Sequence, residues 1–359
     1  MKPTALLSIA GQSIWLDNIS RRLLSSGTLE KYIHEFSVVG LTSNPTIFEK
    51  AIASSRDYDE QIRELMSKDL DDEALFFELA ITDLRQAADL FKPIFERTGG
   101  VDGWVSLEVS PTLANDTQGT IKQAVELHAK AARPNLYIKV PGTPEGLPAI
   151  EELTYRGVPV NVTLLFSSDQ YLDAAEAYLR GLERRHREGK SLRVESVASV
   201  FISRWDRKTA DRLPPSLKNR MGVAVGKECY RAYTDRYATD RYLRLRNAGA
   251  HPQRLLFAST STKDPRLANT FYVTELAAPR TVNTMPEETL VAFQDHGRVE
   301  DLLRHDGGNG HRVLVDCEKA GVSVKATAEQ LQIEGRDAFK RSWDEMLEQL
   351  RNKSSALVH

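Results

Sequence analysis

An alternation constrains this chain more than any single motif. Eight short segments rich in aliphatic, β-branched and aromatic residues read as strands, at 13–18, 37–42, 103–109, 136–143, 158–165, 193–202, 254–259 and 281–283. Stretches of helical periodicity separate them. Tyr58, Ile62, Leu65 and Met66 recur on one face, and a longer helix from 72 to 95 carries Leu75, Leu79, Leu84 and Phe91 before Thr98-Gly99-Gly100 stops it. Further helices are expected over 118–132, after the Ser167-Ser168-Asp169 cap, over 223–246 and over 265–276. Strands alternating with helices predict parallel βαβ units, and hence an α/β protein. Eight of them suit a (β/α)8 TIM barrel. A doubly wound open sheet is the rival, since right-handed crossovers serve both. The 359 residues exceed the roughly 250 typical of such a barrel, so additional helices are expected. Residues 287–359 read as a mainly helical C-terminal extension of one barrel domain spanning 1–359, with Phe339, Trp343, Met346, Leu347 and Leu350 marking an amphipathic last helix.

The totals remove several function classes. A net charge of -2 gives no basic excess to draw nucleic acid or an anionic membrane. No apolar run reaches the length of a membrane span, and the N-terminal run is too short for a signal peptide. The eight histidines are scattered, without HxH, HExxH or CxxC spacing, so no metal site is expected. No phosphate-binding glycine loop of the GxxxxGK[ST] type occurs. Cys229 and Cys317 leave room for one disulfide, but so few cysteines favour a reduced, cytoplasmic protein.

Polar residues gather at the strand ends. The segments close on Asp17-Asn18, Ser43-Asn44, Glu108, Lys139, Asn161 with Thr163, Ser199 followed by Arg204, and Ser259 through Lys263. Catalytic groups of a barrel sit at the C-terminal ends of its strands. Each residue also has a structural explanation. Asp17 can cap a helix, Asn44 before Pro45 can form an Asx-turn, and Glu108 can pair with an arginine. Asn161 and Thr163 can satisfy backbone groups, Ser199 can fill space, and Arg204 can be a solvated loop charge. Lys139, between Ile138 and Val140, points the opposite way from them. It is either paired with a carboxylate or a nucleophile that forms a Schiff base with a carbonyl substrate, its ammonium disfavoured by apolar neighbours.

The convergence of these residues fits one chemistry. An iminium formed on a lysine is an electron sink, so the carbon–carbon bond beta to it can break. One carboxylate must take the proton of the departing carbon's hydroxyl, and a second acid/base must serve dehydration and hydrolysis.

At these residues the chain resembles the transaldolase family. The matching motifs are Gly40-Leu41-Thr42-Ser43-Asn44-Pro45-Thr46-Ile47-Phe48, Ser106-Leu107-Glu108-Val109-Ser110-Pro111, Ile138-Lys139-Val140-Pro141-Gly142-Thr143, and Val160-Asn161-Val162-Thr163-Leu164-Leu165-Phe166-Ser167. They cover the barrel from about 13 to 286, and the long helical tail is similar to that of the longer bacterial members. The resemblance implies Lys139 as the Schiff-base lysine and Asp17 as the carboxylate for the C4 hydroxyl proton. It implies that Glu108 and Thr163 position a catalytic water, and that Asn44 and Asn161 hold substrate hydroxyls. Ser199 and Arg204 would be donors near the substrate, Arg204 on the phosphate, with Phe201 beside them. Many members carry a second phosphate arginine after the seventh strand. Here that segment reads Ser259-Thr260-Ser261-Thr262-Lys263, with Lys263 as the stand-in point charge.

The implied reaction moves a dihydroxyacetone unit from sedoheptulose 7-phosphate to glyceraldehyde 3-phosphate, giving erythrose 4-phosphate and fructose 6-phosphate. The resemblance implies no metal or organic cofactor and sugar phosphates as the only partners. It leaves monomer and homodimer open. A fructose-6-phosphate aldolase releasing free dihydroxyacetone is the rival enzyme, and a catalytically silent sugar-phosphate-binding barrel is the rival outside catalysis.

Overall fold

In the computed structural model, which describes residues 1–357, the eight strands pair in chain order and the last pairs with the first. All pairings are parallel, so the sheet closes into a barrel and the open-sheet alternative falls. The strands are β1 (Gln12–Asp17), β2 (Val38–Thr42), β3 (Trp104–Glu108), β4 (Leu136–Pro141), β5 (Val160–Leu165), β6 (Ser196–Phe201), β7 (Arg254–Ala258) and β8 (Thr281–Met285). Each lies within a segment expected from sequence or overlaps its end by a residue or two.

Helices differ more. Pro3–Ile9, Pro45–Ser54 and Ser203–Thr209 are helical without having been expected. Asn44 begins the second of these. Its backbone is extended and its side chain accepts from the Ile47 N–H, so the residue before Pro45 is an N-cap. The expected helix over 223–246 is two, Met221–Arg236 and Asp240–Asn247, the second capped by Thr239. The helix expected over 265–276 shrinks to Phe271–Glu275. The extension comprises Glu287–His296, Gly310–Lys319 and Val324–Leu357.

The barrel is plugged from below by aromatic rings. Trp15 of β1 meets Tyr137 of β4 across the interior at 6.0 Å between centroids, and Trp104 of β3 stacks on Tyr137 at 4.1 Å. Burying each ring contributes roughly 2–3 kcal/mol. Gly40 makes room for them, because a Cβ there would lie 2.7 Å from the Trp15 ring. Below this layer Arg254 bonds Asp102 and Ser13 and ties the strand beginnings together. Outside the barrel, the fully buried Asp83 takes bonds from Arg21 and the Tyr58 hydroxyl, fixing the start of the helix Arg21–Ser25 to the helix Asp72–Arg97. Breaking a buried pair of this kind typically costs about 3–5 kcal/mol.

With the lower barrel filled, the upper end is left for chemistry. The helix Val324–Leu357 lies across that end. Gln332 donates to the carbonyls of Gly142 and Leu164, at the tops of β4 and β5. Thr46 after β2 bonds Ser342, and Lys208 after β6 pairs with Glu334. Trp343 packs edge-on against Phe76 at 5.0 Å.

Candidate active site

Register places the polar residues side by side. Glu108 is the lateral partner of Lys139, Lys139 of Asn161, and Asp17 of Thr42. Because side chains alternate along a strand, Ser106 and Glu108, Tyr137 and Lys139, and Asn161 and Thr163 share the inner face of β3, β4 and β5.

Lys139 is almost fully buried, and its Nζ donates to Glu108 Oε2 at 3.0 Å and to the Ser43 carbonyl at 3.2 Å. The apolar chain neighbours expected to disfavour the ammonium are therefore only part of its surroundings: the amine also sits on a carboxylate. The two readings left open for this lysine, ion pair and nucleophile, meet in one geometry. Burial pushes the Glu108 carboxyl up from its usual range, with the Lys139 charge opposing in part. A carboxylate so placed is suited to take a proton from the ammonium beside it.

Asp17 ends β1 at the same level. Its Oδ1 accepts from Thr42 Oγ1 at 2.8 Å, and Thr42 Oγ1 lies 2.9 Å from Thr284 Oγ1. Burial pushes the Asp17 carboxyl up, while the Lys139 charge and the Thr42 hydroxyl pull it part of the way back. If Asp17 acts as a base, its ionised form is lost as pH falls through this raised value. Replacing Thr42 by Val deletes a hydrogen bond to the ionised form and so raises the value further. The acid limb of kcat/KM is expected to move to higher pH by about half a unit to one unit in Thr42→Val, with the plateau little changed. A pH–rate series on both proteins checks this, and an unmoved limb would assign the titration to another group.

Beneath these groups runs a polar layer. Ser199 donates to Asn161 Oδ1 at 2.7 Å, and Asn161 Nδ2 donates to Ser106 Oγ at 3.1 Å. Asn161 is fully buried, so its amide ties β3, β5 and β6 together. Glu108 Oε1 and Thr163 Oγ1 are buried without a partner among the described residues. Both belong to groups that have further hydrogen-bonding capacity.

Of the ten site residues expected from sequence, Asp17, Asn44, Lys139, Ser199, Phe201 and Arg204 line one cavity of about 150 Å³ at the barrel's C-terminal end. Glu108 and Asn161 flank Lys139 within the barrel wall, and Thr163 stands opposite Pro141, two residues further along β4. Lys263 stands apart, exposed in an open cleft with Asp264 and Asn269. Sequence reasoning named neither Ser261 nor Phe339 for this cavity. Ser261 carried a signal, its place among the hydroxyls after β7. Phe339 carried none, since it repeats with the helix's buried stripe.

Arg204 has an unusual setting. Among the described residues its guanidinium has no carboxylate or hydrogen-bond partner. It rests instead on the rings of Phe201 at 4.9 Å and Phe339 at 5.8 Å. Burial, helped by Arg207, pulls it down to about 10, which leaves it charged at neutral pH. Two strand ends nearby are strained, with Leu164 at φ 61° and Ser259 at φ 57°, and β5 bulges between Val162 and Leu165. Non-glycine residues in this region cluster at functional sites.

A family model described as transaldolase/fructose-6-phosphate aldolase matches residues 14–350. The chain belongs to the transaldolase/fructose-6-phosphate aldolase family. A transaldolase of Saccharopolyspora erythraea is 45% identical over 354 residues, covering 97% of this chain and 96% of the relative. One from Thermobifida fusca is 44% identical with 99% of each covered, and one from Mycobacterium ulcerans is 44% identical with 99% and 98% covered. The likeness to these transaldolases thus includes the C-terminal helix as well as the barrel. Among the described residues no helix is long and apolar enough to cross a membrane, and no cluster of His, Cys, Asp or Glu is placed to hold a metal.

Proposed function

We propose that this chain is a transaldolase that carries a dihydroxyacetone unit on Lys139 from a ketose phosphate to an aldose phosphate. The observation that carries the reading is the Lys139–Glu108 contact at 3.0 Å, in a cavity that also presents Asp17 and an anion-seeking Arg204.

Glu108 takes a proton from the Lys139 ammonium, and the free amine attacks the C2 ketone. The proton returns through a water held by Glu108 and Thr163 to the carbinolamine hydroxyl, which leaves as water and yields the iminium. The two buried oxygens without protein partners, Glu108 Oε1 and Thr163 Oγ1, support that role. Asp17 takes the proton of the C4 hydroxyl, the C3–C4 bond breaks, and its electron pair moves into the iminium to give an enamine. The aldose phosphate leaves. The enamine then attacks the carbonyl of a second aldose phosphate, Asp17 returns its proton, and hydrolysis frees Lys139.

Binding follows from the same cavity. Arg204, a cation without a counter-charge among the described residues, takes the phosphate, assisted by the Ser259 and Ser261 hydroxyls. Asn44 uses Oδ1 for its helix and keeps Nδ2 for a substrate hydroxyl. Asn161 orders Ser199 and serves the substrate from below. Lys263, outside the cavity, is not needed for this arrangement. Sedoheptulose 7-phosphate and glyceraldehyde 3-phosphate are the proposed pair, giving erythrose 4-phosphate and fructose 6-phosphate. A cytoplasmic setting accords with Cys229 and Cys317, both buried and free.

The family description also names fructose-6-phosphate aldolase. Incubating the protein with fructose 6-phosphate, with and without erythrose 4-phosphate, separates the two activities. Sedoheptulose 7-phosphate is expected with the acceptor, and free dihydroxyacetone at least about tenfold more slowly without it. Equal rates of release and transfer would make the chain an aldolase. The absence of both would leave the silent barrel, against which the intact set of Asp17, Glu108 and Lys139 now argues.

A further inference from the structure

We infer that Phe339, delivered by the C-terminal helix, is a positioning residue whose ring face stabilises the positive charge on the Lys139 nitrogen and steadies Arg204. This rests on the reading of Lys139 as the Schiff-base lysine. The helix Val324–Leu357 turns one face to the cavity. Gln332, Gly335 and Phe339 lie three and four residues apart and so share it. Gln332 fixes the height of that face through Gly142 and Leu164. Gly335 allows the close approach, since a Cβ there would lie 3.0 Å from Leu164 and 3.1 Å from Arg204 Nη1. One turn further on, Phe339 reaches the chemistry.

Its ring lies within reach of two cations. Lys139 Nζ lies over it at 5.5 Å from the centroid and Arg204 Cζ at 5.8 Å. Both distances are within the range of cation–π attraction, which strengthens when the cation is desolvated, as Lys139 is. The nitrogen is positive as the ammonium and again as the iminium. It is neutral as the free amine, the carbinolamine and the enamine. A ring facing it therefore favours the iminium over the neutral intermediates on either side. That is the state whose pull on electrons breaks the carbon–carbon bond. The same ring holds the Arg204 guanidinium, which no carboxylate among the described residues steadies, in a fixed place before the phosphate arrives. Two cations converging in one small cavity repel, and an aromatic face shared between them offsets this without supplying a negative charge that would compete with the phosphate.

The test separates ring electronics from packing. Phe339→Leu keeps an apolar side chain and loses the π-face. Phe339→Trp keeps the face. A trifluorinated phenylalanine at position 339 keeps nearly the same shape with a depleted face. For each protein the fraction of Lys139 trapped by borohydride at saturating fructose 6-phosphate is measured, with kcat and KM for transfer. The trapped fraction and kcat/KM are expected to fall about tenfold in Phe339→Leu and in the fluorinated protein, with Phe339→Trp within about threefold of wild type. The inference is overturned if the fluorinated protein matches wild type, because shape alone would then suffice. If Phe339→Leu fails to fold, the fluorinated protein still decides. A wild-type protein that traps nothing on Lys139 would instead remove the proposed function itself, a result read before any variant is made.

Discussion

Lys139→Met is expected to lose transfer activity by roughly 10⁴-fold or more and to lose all borohydride trapping with fructose 6-phosphate. In the wild type one reduced peptide should carry the substrate's mass, the peptide containing Lys139. Among the described residues Lys139 is the only lysine lining the cavity. None of the described residues offers a second amine there to take over the role proposed for it. The variant should still fold. Removing the ammonium deletes the charge and hydrogen bond that oppose burial at the Glu108 carboxyl, so its neutral form is favoured further. A neutral acid beside a thioether spares the barrel wall an unpaired charge. Circular dichroism and a thermal melt check the fold, and peptide mapping checks the label. Trapping on a different lysine, or retained turnover, would end the mechanism.

Asp17→Ala should split the reaction at another point. In the proposed mechanism Schiff-base formation uses Lys139 and Glu108, whose contact does not involve Asp17, so trapping by borohydride should persist. Cleavage needs a base for the C4 hydroxyl, and its rate is expected to fall by about 10²- to 10³-fold. A rapid-quench experiment reads the two steps separately: iminium accumulates while the aldose phosphate forms slowly. Normal cleavage in Asp17→Ala would take the C4 proton away from Asp17. Lost trapping would move Asp17 to an earlier step.

The barrel was legible in the sequence because strands buried on both sides must be written as dense apolar runs, as in Val158 to Leu165 and Arg254 to Ser259. The strand-end residues were legible because polar side chains interrupt those runs at positions where packing alone would not put them. Closure of the sheet was less so, since right-handed crossovers serve an open sheet equally well. Local chemistry misled at Asn44, where Asn before Pro reads as a turn and is in fact a helix start. The bulge in β5 and the left-handed Leu164 are set by tertiary pairing and carry no local signature. Lys139 looked enclosed by apolar residues because its chain neighbours are apolar. Its true contacts come from β3 and from the loop after β2, 31 and 96 residues earlier. Phe339 was hidden for a related reason: periodicity identifies a buried face but not what it is buried against.

The path of the C-terminal helix also bears on when this protein becomes competent. A ribosome releases the nucleophile, both carboxylates and all eight strands before residues 324–357 emerge. Until that last stretch docks, a nascent barrel would already hold Lys139 and Glu108 together while its mouth lacked Phe339 and stood open to solvent. Reactive chemistry would be present before its cover. The anchors that seat the helix, Gln332 on two strand-end carbonyls and Trp343 among the phenylalanines, thus also decide when the mouth of the barrel is covered.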